Sequence, residues 1–207
     1  MMTDHMEIRP ARPDDPAVEL LYESARPYYD AYAGGAKRAR AMLESVYAMR
    51  GHAASYERCR VALAGDELVG VLAGFPVLEG DRLARRFVRL TVPRLPPWAW
   101  PKTVRHLRAA GLLSPHPPAD AFYIDALAVH AGWRRRGIAR LLLDEAAADA
   151  RRAGLSGLAL DTGLHNEGAR ALYQACGFRE REVRRAPTPR AARAIGGPGF
   201  VAYFRAA

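Results

Sequence analysis

The 207-residue sequence predicts an α/β domain built on a mixed β-sheet. Three observations predict it. "FYIDALAV" (122–129), "GIARLLLDEAAADARRAG" (137–154) and "LSGLALDT" (155–162) read as strand, helix and strand, a crossover unit whose two strands run parallel. "RVALAGDELVGVLAGF" (60–75) reads as a β-hairpin that reverses at Gly65-Asp66, hence an antiparallel pair. "FVAYFRA" (200–206) supplies a closing strand.

Each element has a local reason. "HMEIRPA" (5–11) is a short strand-like stretch, and Asp14-Asp15-Pro16 reads as a helix start with acids at the positive end of the dipole. Val18, Leu20, Leu21 and Ala25 give that helix an apolar face, which Pro27 interrupts; "YYDAYAGG" (28–35) then stops at Gly34-Gly35. A second helix is expected over Lys37 to Arg50, with Ala39, Met42, Leu43, Val46 and Tyr47 at helical spacing. Residues 79–119 carry eight basic residues and seven prolines, with helical patterns around "RLARRFVRL" and "PKTVRHLRAAGLL". That spacing is too apolar for a disordered linker, so the stretch is expected to be a helical insertion in one domain spanning residues 1–207. The helix over 137–154 has Arg151 and Arg152 in its last turn and Gly154 beyond it, as the dipole and a left-handed cap favour. "NEGARALYQACGF" (166–178) is a further helix.

Composition narrows the function classes. Half the residues are apolar, yet no run approaches the roughly 20 needed to cross a bilayer, and Met1 to Pro10 do not resemble a signal peptide. Two cysteines, Cys59 and Cys176, form neither a disulfide framework nor a metal spacing, so a cytoplasmic protein without a metal site is expected. The net charge is +9, and residues 130–207 hold fourteen basic against seven acidic side chains. Such a field favours anionic partners, phosphorylated cofactors among them. No nucleic-acid-binding motif accompanies it, and charge of the kind in "REREVRRAPTPRAARA" (179–194) is usually solvated surface, so nucleic acid is not an expected partner.

"GWRRRGIARLLL" (132–143) places three arginines and a small-residue turn directly after a strand and before a helix. A helix start leaves about four backbone N–H groups unpaired and carries roughly half a positive charge, which makes it an anion site. Gly137 and Ala139 let an anion approach the backbone, while Ile138 and Leu142 hold the helix to the sheet. No Gly-Lys-Ser/Thr follows and no G-x-G-x-x-G is present, so this is neither a Walker loop nor a dinucleotide fingerprint.

Arg134-Arg135-Arg136-Gly137-Ile138-Ala139 fits the R/Q-x-x-G-x-G/A signature of the GNAT superfamily of acetyl-CoA-dependent N-acetyltransferases. "YIDALAV" (123–129) resembles that family's fourth strand, and "NEGARALYQACGF" is similar to its second motif, N-x-x-A-x-x-L-Y-x-x-x-G-F. The resemblance is firm over residues 121–180 and extends by order of elements to most of the chain. It implies a mostly antiparallel sheet with one splayed parallel pair, flanked by helices. It further implies that acetyl-CoA binds through Arg134 and the backbone of Arg135, Arg136, Gly137, Ile138, Ala139 and Arg140. Its pantetheine arm would run along Leu127, Ala128 and Val129, and Asn166 and Tyr173 would approach from the second motif. Where the family usually has Pro two residues after the strand, this chain has Ala131.

For the chemistry, Tyr173 is the natural proton donor to a leaving thiolate, and Asn166 also stands where a helix N-cap belongs. Asp125 is the candidate base or amine ligand; in a regular strand it would face the same side as Leu127. Asp161 is a weaker candidate, with a structural role expected, and His130 and His165 read as loop residues. Tyr28, Tyr29 and Tyr32 either line an acceptor pocket or pack an amphipathic helix. Cys176 lies among apolar helix neighbours, which favours direct transfer over an acyl-enzyme. The expected activity is acetyl transfer to a primary amine of a small molecule or peptide, with a non-catalytic acyl-CoA-binding module as the alternative. The insertion is expected to shape the acceptor side or form a homodimer contact.

Overall fold

The computed structural model describes residues 6–207. Seven strands form one sheet in the order β1-β2-β3-β4-β5-β7-β6: β1 (Met6–Pro10), β2 (Cys59–Ala64), β3 (Glu67–Pro76), β4 (Phe122–Val129), β5 (Gly157–Gly163), β6 (Arg179–Arg185) and β7 (Gly199–Ala206). All neighbours pair antiparallel except β4 with β5, the pair joined by the crossover helix. The expected hairpin is β2–β3, reversing at Gly65-Asp66.

Helices cover both faces. On one, α6 (Ile138–Arg152) buries Ile138, Leu142, Leu143, Ala146, Ala147 and Ala150, a stripe at helical spacing, against Leu72, Ile124, Leu158 and Leu160 of the sheet. Burying each large side chain of this kind contributes about 1.5–3 kcal/mol. Also on this face is α7 (Glu167–Ala175), through Tyr173. Arg60 on β2 reaches Asp149 on α6 with two bonds of 2.5 and 2.6 Å, a bidentate clamp between layers. On the other face, α1 (Val18–Ser24) and α3 (Ala36–Tyr47) pack Leu20, Leu21 and Tyr47 on Val61, Val71 and Ala126. A third cluster joins α2 (Arg26–Ala33) to α3, α4 (Val77–Thr91) and α5 (Trp100–Leu113), with Tyr22, Tyr32, Met42, Leu43 and Leu95 buried and Phe87 and Leu107 packed against them. Residues 79–119 therefore hold most of α4 and all of α5, joined by two 3₁₀ turns.

Three local readings differ from the structure. Asp15 does not start a helix; it accepts two bonds from Arg9 (2.7 and 2.8 Å) and one from the Arg12 N–H, and α1 begins later, at Val18. The Arg9 guanidinium holds the Asp15 carboxyl below its usual range. The charged stretch "REREVRR" is an edge strand, β6, whose side chains are mostly exposed. After it, α8 (Pro189–Ile195) has a side-chain cap from Thr188 to the Ala191 N–H (3.1 Å), Pro189 in its first turn and Gly196 left-handed at its end.

Candidate active site

The site begins where the sheet opens. β4 and β5 pair only at Phe122–Leu158, Tyr123–Ala159 and Ile124–Leu160. Beyond that point β4 stays with β3 as far as Val129, while β5 leaves with β7 as far as Gly163. The N–H of His130 donates to Val69 O on the β3 side (2.8 Å). Main-chain groups alternate along a strand, so those of Leu127 and Val129 face the gap. Arg134 Nε already donates to Val129 O, at 3.0 Å.

β4 is not regular. Ala126 pairs with Ala73 and Ile124 with Gly74, so Asp125 is an extra residue, a β-bulge. The consequence is visible in the packing: Ile124 and Leu127 belong to the α6-side core, Ala126 and Ala128 to the opposite one. An unbroken strand would have put residues 124 and 126 on one face; the condition of a regular strand, on which the expected shared side of Asp125 and Leu127 depends, is not met, yet both line the same cavity. Gly74 accommodates the bulge, since a Cβ there would collide with the Phe122 ring and lie 2.8 Å from Tyr123 O.

At the end of β4 the chain turns into α6. Arg135 (φ 64°) and Gly137 (φ 83°) are both left-handed, a conformation that only Gly adopts without strain. Among the described residues, the backbone N–H groups of Arg135 through Arg140 find no protein acceptor; the next amide, of Leu141, donates to Gly137 O at 3.1 Å. No atom lies within 4 Å of where a Gly137 Cβ would stand. The loop is therefore an exposed set of convergent donors at a helix start, suited to a phosphate group. Its arginine side chains are mostly committed elsewhere: Arg134 also faces Glu23 (3.5 Å), Arg136 lies over the Trp133 ring (4.7 Å), and Arg140 donates to Ala175 O (2.9 Å). Ile138 is a core residue, and Ala139 is half-buried.

A cavity of about 340 Å³ lies at the opening. From the expected set, Asp125, Leu127, Asn166 and Tyr173 line it. Asn166 Oδ1 accepts from the Ala169 N–H (3.2 Å), capping α7, so its cap role is realised beside the cavity. Tyr173 is buried, its ring 5.7 Å from Phe178 and 5.8 Å from Tyr203, and among the described residues its hydroxyl has no hydrogen-bond partner. Burial, with the Asp161 charge, pushes its phenol up. Asp125 is open to the cavity but ringed by protein, and burial aided by Asp161 pushes its carboxyl up to about 6. Burial also raises Asp161, against the effect of Tyr123, whose hydroxyl donates to its Oδ2 at 2.5 Å.

Tyr28, Tyr29 and Tyr32 do both things considered for them, packing within the α2–α3 cluster and facing the cavity. His165 also lines it, whereas His130 and Cys176 do not; Cys176 is buried in the α6-side core. Sequence reading missed Tyr123, Phe87 and Val88 on this cavity, and the Ile195–Gly197 turn that also lines it. Only that turn left a local signal, the Thr188-Pro189 and Gly196 caps of α8. Among the described residues, no group of three His, Cys, Asp or Glu side chains is placed to hold a metal, and no helix is long and apolar enough to cross a membrane.

An N-acetyltransferase from Staphylococcus aureus Mu50 superposes with a TM-score of 0.73 at 18% identity, over 96% of this chain and 100% of that one. Another crystal structure, described as an acetyltransferase, gives 0.68 at 20% identity over 96% and 97%. The IAA acetyltransferase from Bacillus cereus ATCC 14579 gives 0.57 at 16% identity over 98% and 99%. At these identities the likeness is one of fold. No curated protein gives a significant sequence match. The family model for the acetyltransferase (GNAT) family matches residues 18–178, and the chain belongs to that family.

Proposed function

We propose that the protein transfers an acetyl group from acetyl-CoA directly to a primary amine. The observation that carries this reading is that one strand, β4, lines a cavity holding Tyr173 and Asp125 and leads directly into an unpaired backbone donor set at the start of α6. The unpaired amides of Arg135 through Arg140 fit a diphosphate, and the gap-facing main chain of Leu127 and Val129 fits an extended amide-bearing arm. Acetyl-CoA supplies, when bound, an acetyl group activated as a thioester.

The chain's own residues would do the rest. An ammonium acceptor sheds one proton to become nucleophilic and a second as the carbon–nitrogen bond forms. The carbon–sulfur bond breaks, the thiolate takes up one proton, and one proton leaves the site. Asp125, with its carboxyl raised to about 6, accepts from the amine. Tyr173, its hydroxyl unengaged by protein, gives the proton to the thiolate. A main-chain N–H of β4 near Leu127 polarises the carbonyl.

The test follows free thiol release across a panel of amines, beside calorimetry with coenzyme A. Amine-dependent release supports transfer. Tight coenzyme A binding without release from any amine supports instead a regulatory acyl-CoA-binding module.

A further inference from the structure

The chain has 31 lysines and arginines, and not one lines the cavity. The charged side chains there are Asp125 and Asp161, with His165 at the rim. The same cavity is lined by Tyr28, Tyr29, Tyr32 and Phe87. Their rings are held by neighbours: Tyr28 meets the buried His106 edge-on at 4.3 Å, Tyr32 lies 5.8 Å from Phe87, and the Tyr32 hydroxyl is paired with Thr91 Oγ1 at 2.6 Å.

We propose that the acceptor is a small primary amine with a flat apolar body and no anionic group, an aralkylamine in chemical class. Its ammonium lies between Asp125 and Asp161, and its body lies against the tyrosine and phenylalanine wall. This rests on the reading of the cavity as the site of acetyl transfer.

Four observations carry it. Two carboxylates within protein walls attract a cation and repel an acceptor that brings a carboxylate of its own. Tyr123 holds Asp161 Oδ2, which leaves Oδ1 for the substrate. Fixed aromatic rings beside the acids favour a cation and a flat body together. Finally, the cavity is small, about 340 Å³ including the part lined by Tyr173 and Leu127, and Phe87 of α4, Leu107 of α5 and the turn after α8 are part of its wall. At that turn Gly196 is left-handed (φ 80°), and a Cβ there would collide with the Pro27 carbonyl, so the turn sits directly on the start of α2. A volume of this size suits a small amine better than a peptide chain.

The experiment compares 2-phenylethylamine with phenylalanine (same body, added carboxylate), with propylamine (same ammonium, no ring) and with a tetrapeptide bearing a free N-terminus. Thiol release gives kcat/KM, and calorimetry on the protein preloaded with coenzyme A gives affinity without turnover. Expected is a preference for 2-phenylethylamine of about 100-fold over phenylalanine and of about 10-fold over propylamine, with the peptide inert. Asp161→Asn is expected to weaken 2-phenylethylamine binding about 10-fold. Tyr28→Leu, which keeps both acids, is expected to abolish the preference over propylamine, and it carries the test if the Asp161 variant does not fold. Phenylalanine or the peptide matching 2-phenylethylamine in both readouts overturns the proposal. If coenzyme A binds and other amines turn over while 2-phenylethylamine does neither, this inference fails and acetyl transfer stands. If coenzyme A itself does not bind, the transfer reading falls, and the amine affinities alone then decide this one.

Discussion

Two regions meet at the opening between β4 and β5, and they are built in opposite ways. The loop leading into α6 is one unbroken stretch from Val129 to Arg140, and what it presents is backbone: unpaired N–H groups of residues 135–140 arranged by left-handed residues at 135 and 137. The cavity wall gathers Tyr28 and Tyr29 from α2, Phe87 from α4, Asp125 from β4, Asp161 from β5 and Ile195 from the end of α8, and what it presents is side chains. Backbone amides are alike in every residue, so the loop depends on conformation and tolerates changes of side chain. The wall depends on the identity of each residue, because its chemistry lies beyond Cβ.

That contrast can be broken experimentally. The largest effect is expected at Tyr173, where cavity and second motif meet: Tyr173→Phe lowers turnover by about 100-fold or more while coenzyme A affinity by calorimetry stays unchanged. Equal turnover would remove Tyr173 as the acid. Next is Gly137→Val. Forcing a branched side chain to φ 83° costs roughly 1–3 kcal/mol and also crowds the donors, so coenzyme A should bind about 10- to 100-fold more weakly, with circular dichroism unchanged. Undiminished affinity would mean that the diphosphate does not use this loop.

Asp125→Asn is expected to lower kcat/KM about 10-fold and to alter its pH profile. In the native protein the carboxylate is protonated, and useless as a base, below about pH 6, so the profile falls as pH drops through that value. The Asn variant lacks that acidic limb; a limb that persists assigns it to another group. Arg135→Ala should weaken coenzyme A only about 2- to 3-fold, and less at high salt, since an exposed charge adds little to the amides. A loss as large as that of Gly137→Val would erase the distinction between backbone and side chain. Smallest for activity is Thr188→Ala. It removes the α8 cap at about 1 kcal/mol and should appear as faster amide exchange over residues 189–195.

The same contrast explains what was legible. The β4–α6–β5 crossover, the hairpin and the turn at Gly137 are each set by a dozen or so consecutive residues, and each lies where its pattern places it. β6 was not legible, because an edge strand exposed on both faces needs no apolar alternation and "REREVRR" has none. The bulge at Asp125 left no trace either: "YIDALAV" alternates like a regular strand, and the shift depends on Gly74 across the sheet. Asp15 had the right residue type for a helix start but found a stronger partner in Arg9, on the neighbouring strand.

By itself the sequence determined the crossover unit, the hairpin and the small-residue turn before α6, since each follows from dihedral preferences and hydrophobic period over neighbours in the chain. Only the tertiary structure decided that Asp161 is held by Tyr123, that Asp125 turns with a bulge, and that tyrosines from α2 and Phe87 from α4 wall the same space with no lysine or arginine lining it among the described residues. Those facts depend on which distant residues share a volume, and hydrophobic pattern specifies that a face is buried without specifying what it is buried against.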